Sequence, residues 1–501
     1  MPDFADPAAG DYRVLSGVTI DAGLYQAWMA DAPDLAGTNR VIGAAVDLGC
    51  YECAPQGLRA AIQPSSSVGI GAGSEITLTA VVSAADTNGL TYAWTVADQS
   101  GATVFTASGP DCESVAHAYG IGLYSVSLAV ENGAHESFTA TAEGLFAVKP
   151  EVIWVNNGAT QTYPYDTKAG GFTNFVEAVD FAESGMTVIL ADGVQTNTSS
   201  DMVVAKAVAI RGEGGADSAT LYTTKNLTLN FPGSAVRGLT LLSNYKTDCC
   251  VSVQIGALDS CVVTNYKRGN RIIGIGPGSV VSNCLVTGCW NSGRDCFIGV
   301  DSGTFIDNRV VGNKTTDGSY NELIRVSRGL VRNCLVAGNE TKAGEAGNMY
   351  SGFAVSVTDA GTVENCTIAD NADICTAKLP AVGSRSFGAT IRNCIVAGNT
   401  NLDGPAGVGW TYGNTCATYT LSDVAGLTGT GCKTGPAGFK KPAVGDYRLS
   451  GTSPALKAGL VQSWMSSALD LDGNPRLYRG RFVDMGCYQN QKSGATMLYL
   501  R

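Results

Sequence analysis

Apolar and polar residues alternate in short bursts through the middle of the chain, and one burst recurs. "VRNCLVA" at 331–337 returns as "VSNCLVT", "VENCTIA" and "IRNCIVA". Aligned on its cysteine, the pattern gives a column of Leu239, Cys261, Cys284, Asn308, Cys334, Cys366 and Cys394, with gaps of 22, 23, 24, 26, 32 and 28 residues. Each copy holds a short strand with period-two apolar character and closes on turn-formers such as Gly338-Asn339. A unit this short cannot bury its apolar side alone, so it must stack on its neighbours. One strand motif per repeat, with no helix-length apolar pattern between copies, predicts a parallel β-solenoid.

In such a coil, equivalent residues lie above one another at the strand spacing of about 4.8 Å. The Cys column is expected inside, where Cys acts as a small hydrophobe. Before it runs a polar column, Asn283, Asp307, Asn333, Asn365 and Asn393, suited to a bend. Five residues after the Cys comes a second column, Asn244, Asn313, Asn339, Asn371 and Asn399, where the chain turns again and left-handed backbone is expected.

Other stretches carry other periods. From 58 to 149, "SEITLTAVV", "LTYAWTV", "SVAHAYG" and "GLYSVSLAV" alternate between Gly and Asn turns, as in a β-sandwich. The segment 170–194 predicts the one clear helix, capped by Asn174 with Glu177 three residues on, striped with Phe175, Val179 and Ala182, and ended by Gly185. It should lie across the first coil. Residues 11–52 return at 446–489: Asp11 matches Asp446, Trp28 Trp464, Asp34 Asp470, Arg40 Arg476, and Gly49-Cys50-Tyr51 matches Gly486-Cys487-Tyr488. The second copy follows the last coils, where an open apolar end is expected to need cover. The first copy is then expected to close a further solenoid on its N-terminal side.

The 33 basic and 44 acidic residues give a net charge of −11, which argues against a nucleic-acid partner. No stretch of about 18 apolar residues is present to span a membrane. "MPDFADPAAGDYRV" lacks the basic and apolar regions of a secretory signal, which is therefore expected upstream. Of 16 Cys, five fall in the interior column; Cys249 with Cys250, Cys289 with Cys296 and Cys416 with Cys432 are candidate bridges. Cys50 and Cys53 form a CxxC, but His117 and His135 are far away in sequence, so no metal site is expected.

Tyr92, Trp94, His117, Tyr119, Gly122 and Tyr124 are arranged as in the "YxW" and "HxYxxxGxY" motifs of the PKD-type immunoglobulin-like domain, which residues 58–149 resemble. In that likeness His117 is a packed structural residue. "VIWVNNG", the helix, "MTVILADG" and "AVAIRGEG" resemble the opening cap of right-handed parallel β-helices of the pectate-lyase-like superfamily. The duplicated module resembles the choice-of-anchor Q domain that ends many bacterial surface β-helices, departing at Lys457, where an acidic residue is common and Asp21 keeps it. Together these imply an all-β chain: a terminal capping module at 1–57, a PKD-like sandwich at 58–149, a right-handed parallel β-helix at 150–445, and a C-terminal capping module and tail at 446–501. They also imply a secreted or cell-surface protein.

Right-handed β-helices include lyases and hydrolases that act on polysaccharides, so chemistry must be read from the loops. A hydrolase needs paired carboxylates across a groove, and a lyase needs a base with calcium or Arg to neutralise the uronate. The solenoid has no His, no adjacent coils offer a matched carboxylate pair, and no acidic cluster of calcium type marks a cofactor. The loops after the Cys column do carry a mixed strip: Lys267, Arg268 and Arg271, then Arg294 and Asp295, then Lys314 and Asp317, then Glu322 and Arg325, with Tyr266, Trp290, Tyr320 and Tyr350 beside them. Charges with ring faces suit an acidic glycan. The expectation is adhesion or polysaccharide binding without bond cleavage, with an acidic-glycan lyase or hydrolase, or a plain structural stalk, as the alternatives.

Overall fold

The computed structural model describes residues 3–16, 20, 22–30, 32–41, 46–53, 57–84, 86–244, 249–268, 271–292, 295–318, 322–343, 353–374, 380–384, 388–410 and 416–491. The chain forms two compact units, Met1–Glu151 and Val152–Arg501. No described helix is long and apolar enough to cross a membrane.

The first unit contains a two-sheet sandwich. A five-stranded sheet runs in the order Ser67–Ile70, Ser137–Lys149, Gly122–Glu131, Thr91–Asp98, Thr103–Gly109, and a three-stranded sheet in the order Arg59–Gln63, Ser74–Ser83, Ser114–Tyr119. Period-two alternation puts Tyr92, Trp94 and Val96 inside together with Val126, Leu128 and Val130. Trp94 is 1% exposed and its indole N–H donates to Cys112 O at 2.8 Å, which removes the cost of burying that polar group. His117 stacks on Phe105, with centroids 4.5 Å apart, and meets Tyr119 edge-on, as expected of a packed structural residue. The Tyr124 hydroxyl donates to Gly120 O at 2.9 Å.

The second unit is a parallel β-solenoid of about 8 turns. Its opening strand, Val152–Val155, pairs in parallel with Thr187–Leu190. Helix α1, Phe175–Phe181, packs on the opening strands of two sheets, Val152–Val155 and Gly193–Asn197. Asn174 caps it, accepting from Val176 N at 2.8 Å, and Phe175, Val179 and Ala182 are buried. Each middle coil then presents four strands: two in one long sheet, one in a second sheet (285–287, 309–311, 335–337, 367–369, 395–397) and one in a third (267–268, 290–291, 314–318, 340–343, 372–373, 400–401).

The repeated Asn-Cys makes the corner between the long sheet and the second sheet. The residues before the Cys column, Asn283, Asp307, Asn333, Asn365 and Asn393, all have φ between 51° and 58°. Asn and Asp tolerate this left-handed backbone because a short polar side chain can bond locally. Every residue of the Cys column is at most 2% exposed. The thiols also donate: Cys334 Sγ reaches Arg332 O at 3.1 Å, and Cys394 Sγ reaches Arg392 O at 3.2 Å. Asn308 replaces the thiol with two bonds, accepting from Cys284 N at 2.8 Å and donating to Val281 O at 2.9 Å. All fifteen described cysteines are free thiols, so the candidate bridges among them are not formed. No group of metal-ligating side chains gathers among the described residues.

The second Asn column differs from its expected role. Left-handed backbone belongs to the residue before it, at Gly288, Gly312, Gly338, Asp370 and Gly398, with φ from 52° to 71°. The Asn side chains turn inward and form a ladder. Asn313, Asn339 and Asn371 each donate from Nδ2 to the Oδ1 of the Asn one coil on, at 3.0, 2.8 and 2.9 Å. That same Oδ1 accepts their backbone N–H at 2.9, 3.1 and 3.0 Å, so each buried amide is satisfied by the next.

The closing module also departs from expectation in place and extent. It begins earlier than Asp446, because Phe439–Lys441 pairs antiparallel with Asp446–Leu449, matching the pairing of Asp3–Asp6 with Asp11–Ser16 in the first copy. It covers the flank of the second sheet rather than the open end. Outward-facing Leu335, Ala337, Ala369, Ile395 and Ala397 are buried beneath Tyr447, Leu449, Leu471, Met485 and Cys487. Strands that are apolar on both sides demand this second cover. The end of the stack is met instead by the segment just before the module: Tyr419 N donates to Thr430 O at 2.8 Å, and Lys433 N to Thr420 O at 2.9 Å.

Candidate functional site

The third sheet brings the loop residues singled out above into two separate arrangements. Its register sets Lys267 beside Trp290, Trp290 beside Lys314, and Lys314 beside Glu340, one coil apart at each step. These side chains lie outside the coil, because the alternate column of Asn291, Thr315, Thr341 and Asp373 is buried. Trp290 is 37% exposed, and the Lys267 ammonium sits 4.9 Å from its ring centroid. Such a contact at an exposed site is worth about 0.5–1 kcal/mol. Lys314 Nζ lies 3.6 Å from Glu340 Oε2, with its side chain 63% exposed. The result is one aromatic face between two cations on consecutive rungs.

The arginines form the second arrangement, at the turn from the third sheet back into the long sheet. Arg271 Nε donates to Asp295 Oδ2 at 2.8 Å, and its other end pairs with Asp301. Arg325 pairs with Asp295 as well and lies 3.8 Å from the buried carboxylate of Glu322. Burial raises the Asp295 carboxyl, but Arg325 and Arg271 together outweigh it and hold the group below its ordinary range. Gly299 makes room for this: a Cβ there would stand 2.6 Å from the Arg271 guanidinium. Arg271, Asp295 and Arg325 therefore staple three successive coils to one another.

Tyr266 is corrected outright as a surface residue: it is 0% exposed, inside the coil, and burial pushes its phenol far above the usual range. It occupies the inner column later taken by the Asn ladder, which is why its ring packs instead of facing a ligand. Glu322 is likewise 0% exposed and cannot meet a glycan. Arg294, Tyr320 and Tyr350 lie outside the described residues, as do the side chains of Arg268 and Asp317. Of the anticipated strip, Lys267, Trp290 and Lys314 remain outward and accessible.

A third feature was not anticipated. A cavity of about 450 Å³ opens between the coil corners and the closing module, lined by Asn283, Asp307, Arg309, Arg332, Trp464 and Asp470. Burial raises the Asp307 carboxyl despite a bond from Asn333. Arg332 lies 4.1 Å from the centroid of the Trp464 ring and also pairs with Glu364 at 2.6 Å, so the cavity wall is part of the docking of the module. The signal for it was the polar corner column, of which Asn283 and Asp307 line the cavity.

Comparison with known proteins bears on the sandwich. Residues 59–142 match the PKD domain family. The matched segment contains Tyr92, Trp94, His117, Tyr119 and Tyr124, the residues whose packing is described above. Comparison with curated proteins and with solved structures gives no match.

Proposed function

We propose that the chain is a non-catalytic binding element of a secreted or cell-surface protein, and that its solenoid holds an acidic polysaccharide across Lys267, Trp290 and Lys314. The carrying observation is the outward rung order cation, ring, cation. The part of the ring that Lys267 leaves uncovered would accept the apolar side of a sugar, while the ammonium groups one rung away on either side, Lys314 giving up its 3.6 Å contact with Glu340, would meet carboxylates or sulfates of the flanking residues. Such a strip suits a repeating polymer better than a single small ligand, because the described strands present these side chains as a linear row. The PKD match supports an extracellular setting. With the whole chain at −11, attraction for a polyanion is local and should weaken as salt screens it.

Retention on immobilised acidic and neutral polysaccharides tests this reading. The intact chain should be retarded on an acidic polymer at low salt, and Lys267→Glu with Lys314→Glu should elute in the void. New reducing ends or unsaturated products during incubation would instead support a lyase or hydrolase. Retention on no polymer would support a plain stalk.

A further inference from the structure

The duplicated module is built twice on one internal frame. Asp34 and Asp470 each accept two backbone N–H bonds at 2.8–2.9 Å from the turn that follows, and a third from Glu52 N at 2.9 Å or Gln489 N at 2.7 Å. Gly23 N donates to Val46 O, as Gly459 N does to Val483 O. Arg40 reaches Gly49 O, as Arg476 reaches Gly486 O. The edge-on pair Phe4–Tyr12, at 5.7 Å, repeats as Phe439–Tyr447 at 5.3 Å.

Their surroundings differ. In the second copy Tyr447, Leu471, Met485 and Cys487 are at most 9% exposed, because they lie on the solenoid flank. Their counterparts in the first copy are open: Tyr12 is 54% exposed, Leu35 69%, Leu48 52%, and Cys50 is exposed too. Trp28, the counterpart of Trp464, is 64% exposed. A Cβ on Gly486 would stand 2.6 Å from Thr367 Oγ1 and 2.8 Å from Ile395 Cδ1, whereas one on Gly49 would meet nothing within 4 Å. A contiguous apolar face of this kind on an intact frame marks an interface.

We infer that this face of the first module is the docking surface for the flank of a further parallel β-solenoid, joined to its N-terminal side in the same polypeptide. The second copy shows both the order and the fit. There the module follows directly on the coils it covers, and it packs on an outward column of Val311, Ala337, Ala369 and Ala397, with Gly486 close against Thr367 and Ile395 beside it. It also needs an Asn at the coil corner, since Asn393 holds both backbone groups of Leu460, the counterpart of Leu24.

A second copy of this chain does not supply that surface. Its covered flank is already occupied, and before Val311 the same column holds Thr196, Tyr222, Leu242, Thr264 and Thr287. The large side chains of Tyr222 and Leu242 would hold the module off the first of these coils, and the polar Thr264 and Thr287 offer it no apolar cover. The inference does not rest on the glycan reading.

Cys50 is the built-in reporter. The polypeptide isolated from its own cells and the chain 1–501 are each labelled with N-ethylmaleimide under native conditions, and the Cys50 peptide is followed by mass spectrometry. Docking predicts labelling slower by about tenfold or more in the isolated polypeptide, recovered there on Trp28→Asp. Equal rates in the two would overturn the inference. So would protection of Cys50 in the chain 1–501 that grows with its concentration, since a second copy would then be the occupant.

Discussion

Asn393 holds Leu460 by both of its backbone groups: Oδ1 accepts the Leu460 amide at 2.7 Å and Nδ2 donates to its carbonyl at 2.8 Å. One corner side chain of the coil thus fixes the closing module to the flank, while its own backbone sits at φ 55°. Asn393→Ala removes both bonds and disfavours the left-handed corner, with an expected cost of about 2–3 kcal/mol. Asn393→Gly keeps the backbone freedom and should cost less. Urea unfolding of the two variants, with limited proteolysis of the module, checks the order.

The Asn ladder should behave as one unit. Asn339→Ala takes the acceptor from the amide N–H of Asn313 and from one of its Nδ2 hydrogens, Nδ2 still donating to Val286 O at 2.9 Å. Burying such groups unpaired is expensive, and a loss of about 3 kcal/mol in unfolding free energy is expected. A loss under about 0.5 kcal/mol would mean that the ladder is incidental.

Asp295 gives a pH signature. Its folded pKa is depressed, so the stability it adds is present above the ordinary carboxylate value, near 3.9, and disappears as pH falls through the lower folded value. Asp295→Asn should lower stability at pH 7 by about 1–3 kcal/mol. It should also flatten the fall in stability below pH 4. Parallel pH profiles for the two proteins would contradict the staple.

Gly49 and Gly486 form a matched pair of tests. Both have positive φ, 131° and 86°, so Ala strains each. The second also meets Thr367 and Ile395. In the chain 1–501, Gly486→Ala should therefore lower the unfolding midpoint of its unit distinctly more than Gly49→Ala does in the other.

The solenoid was readable because the inner column keeps one residue type while the loops stretch: a thiol or an amide must fit the same corner in every coil. In the second corner the left-handed position is one residue ahead of the Asn column, and the run of Gly288, Gly312, Gly338 and Gly398 is its mark in the sequence. Lateral docking was harder to see. Its signal is the change of the outward column from Thr264 and Thr287 through Val311 to Ala337, Ala369 and Ala397, which registers only once the coils are aligned on their third strand. The charged strip was misleading for a physical reason: Arg271 and Arg325 find Asp295 one coil away, so their charges are already used. Trp290 and Lys267 lie on the outward face of neighbouring strands, against each other.

The most direct measurement is a calorimetric titration of the chain with a polyuronate at low salt, repeated with Trp290→Ala. The account predicts saturable binding by the intact chain, weakened by about tenfold or more in the variant, which is about 1.4 kcal/mol, at a temperature where both proteins are shown to be folded. Binding that is unchanged by Trp290→Ala, or no binding by the intact chain, would contradict it.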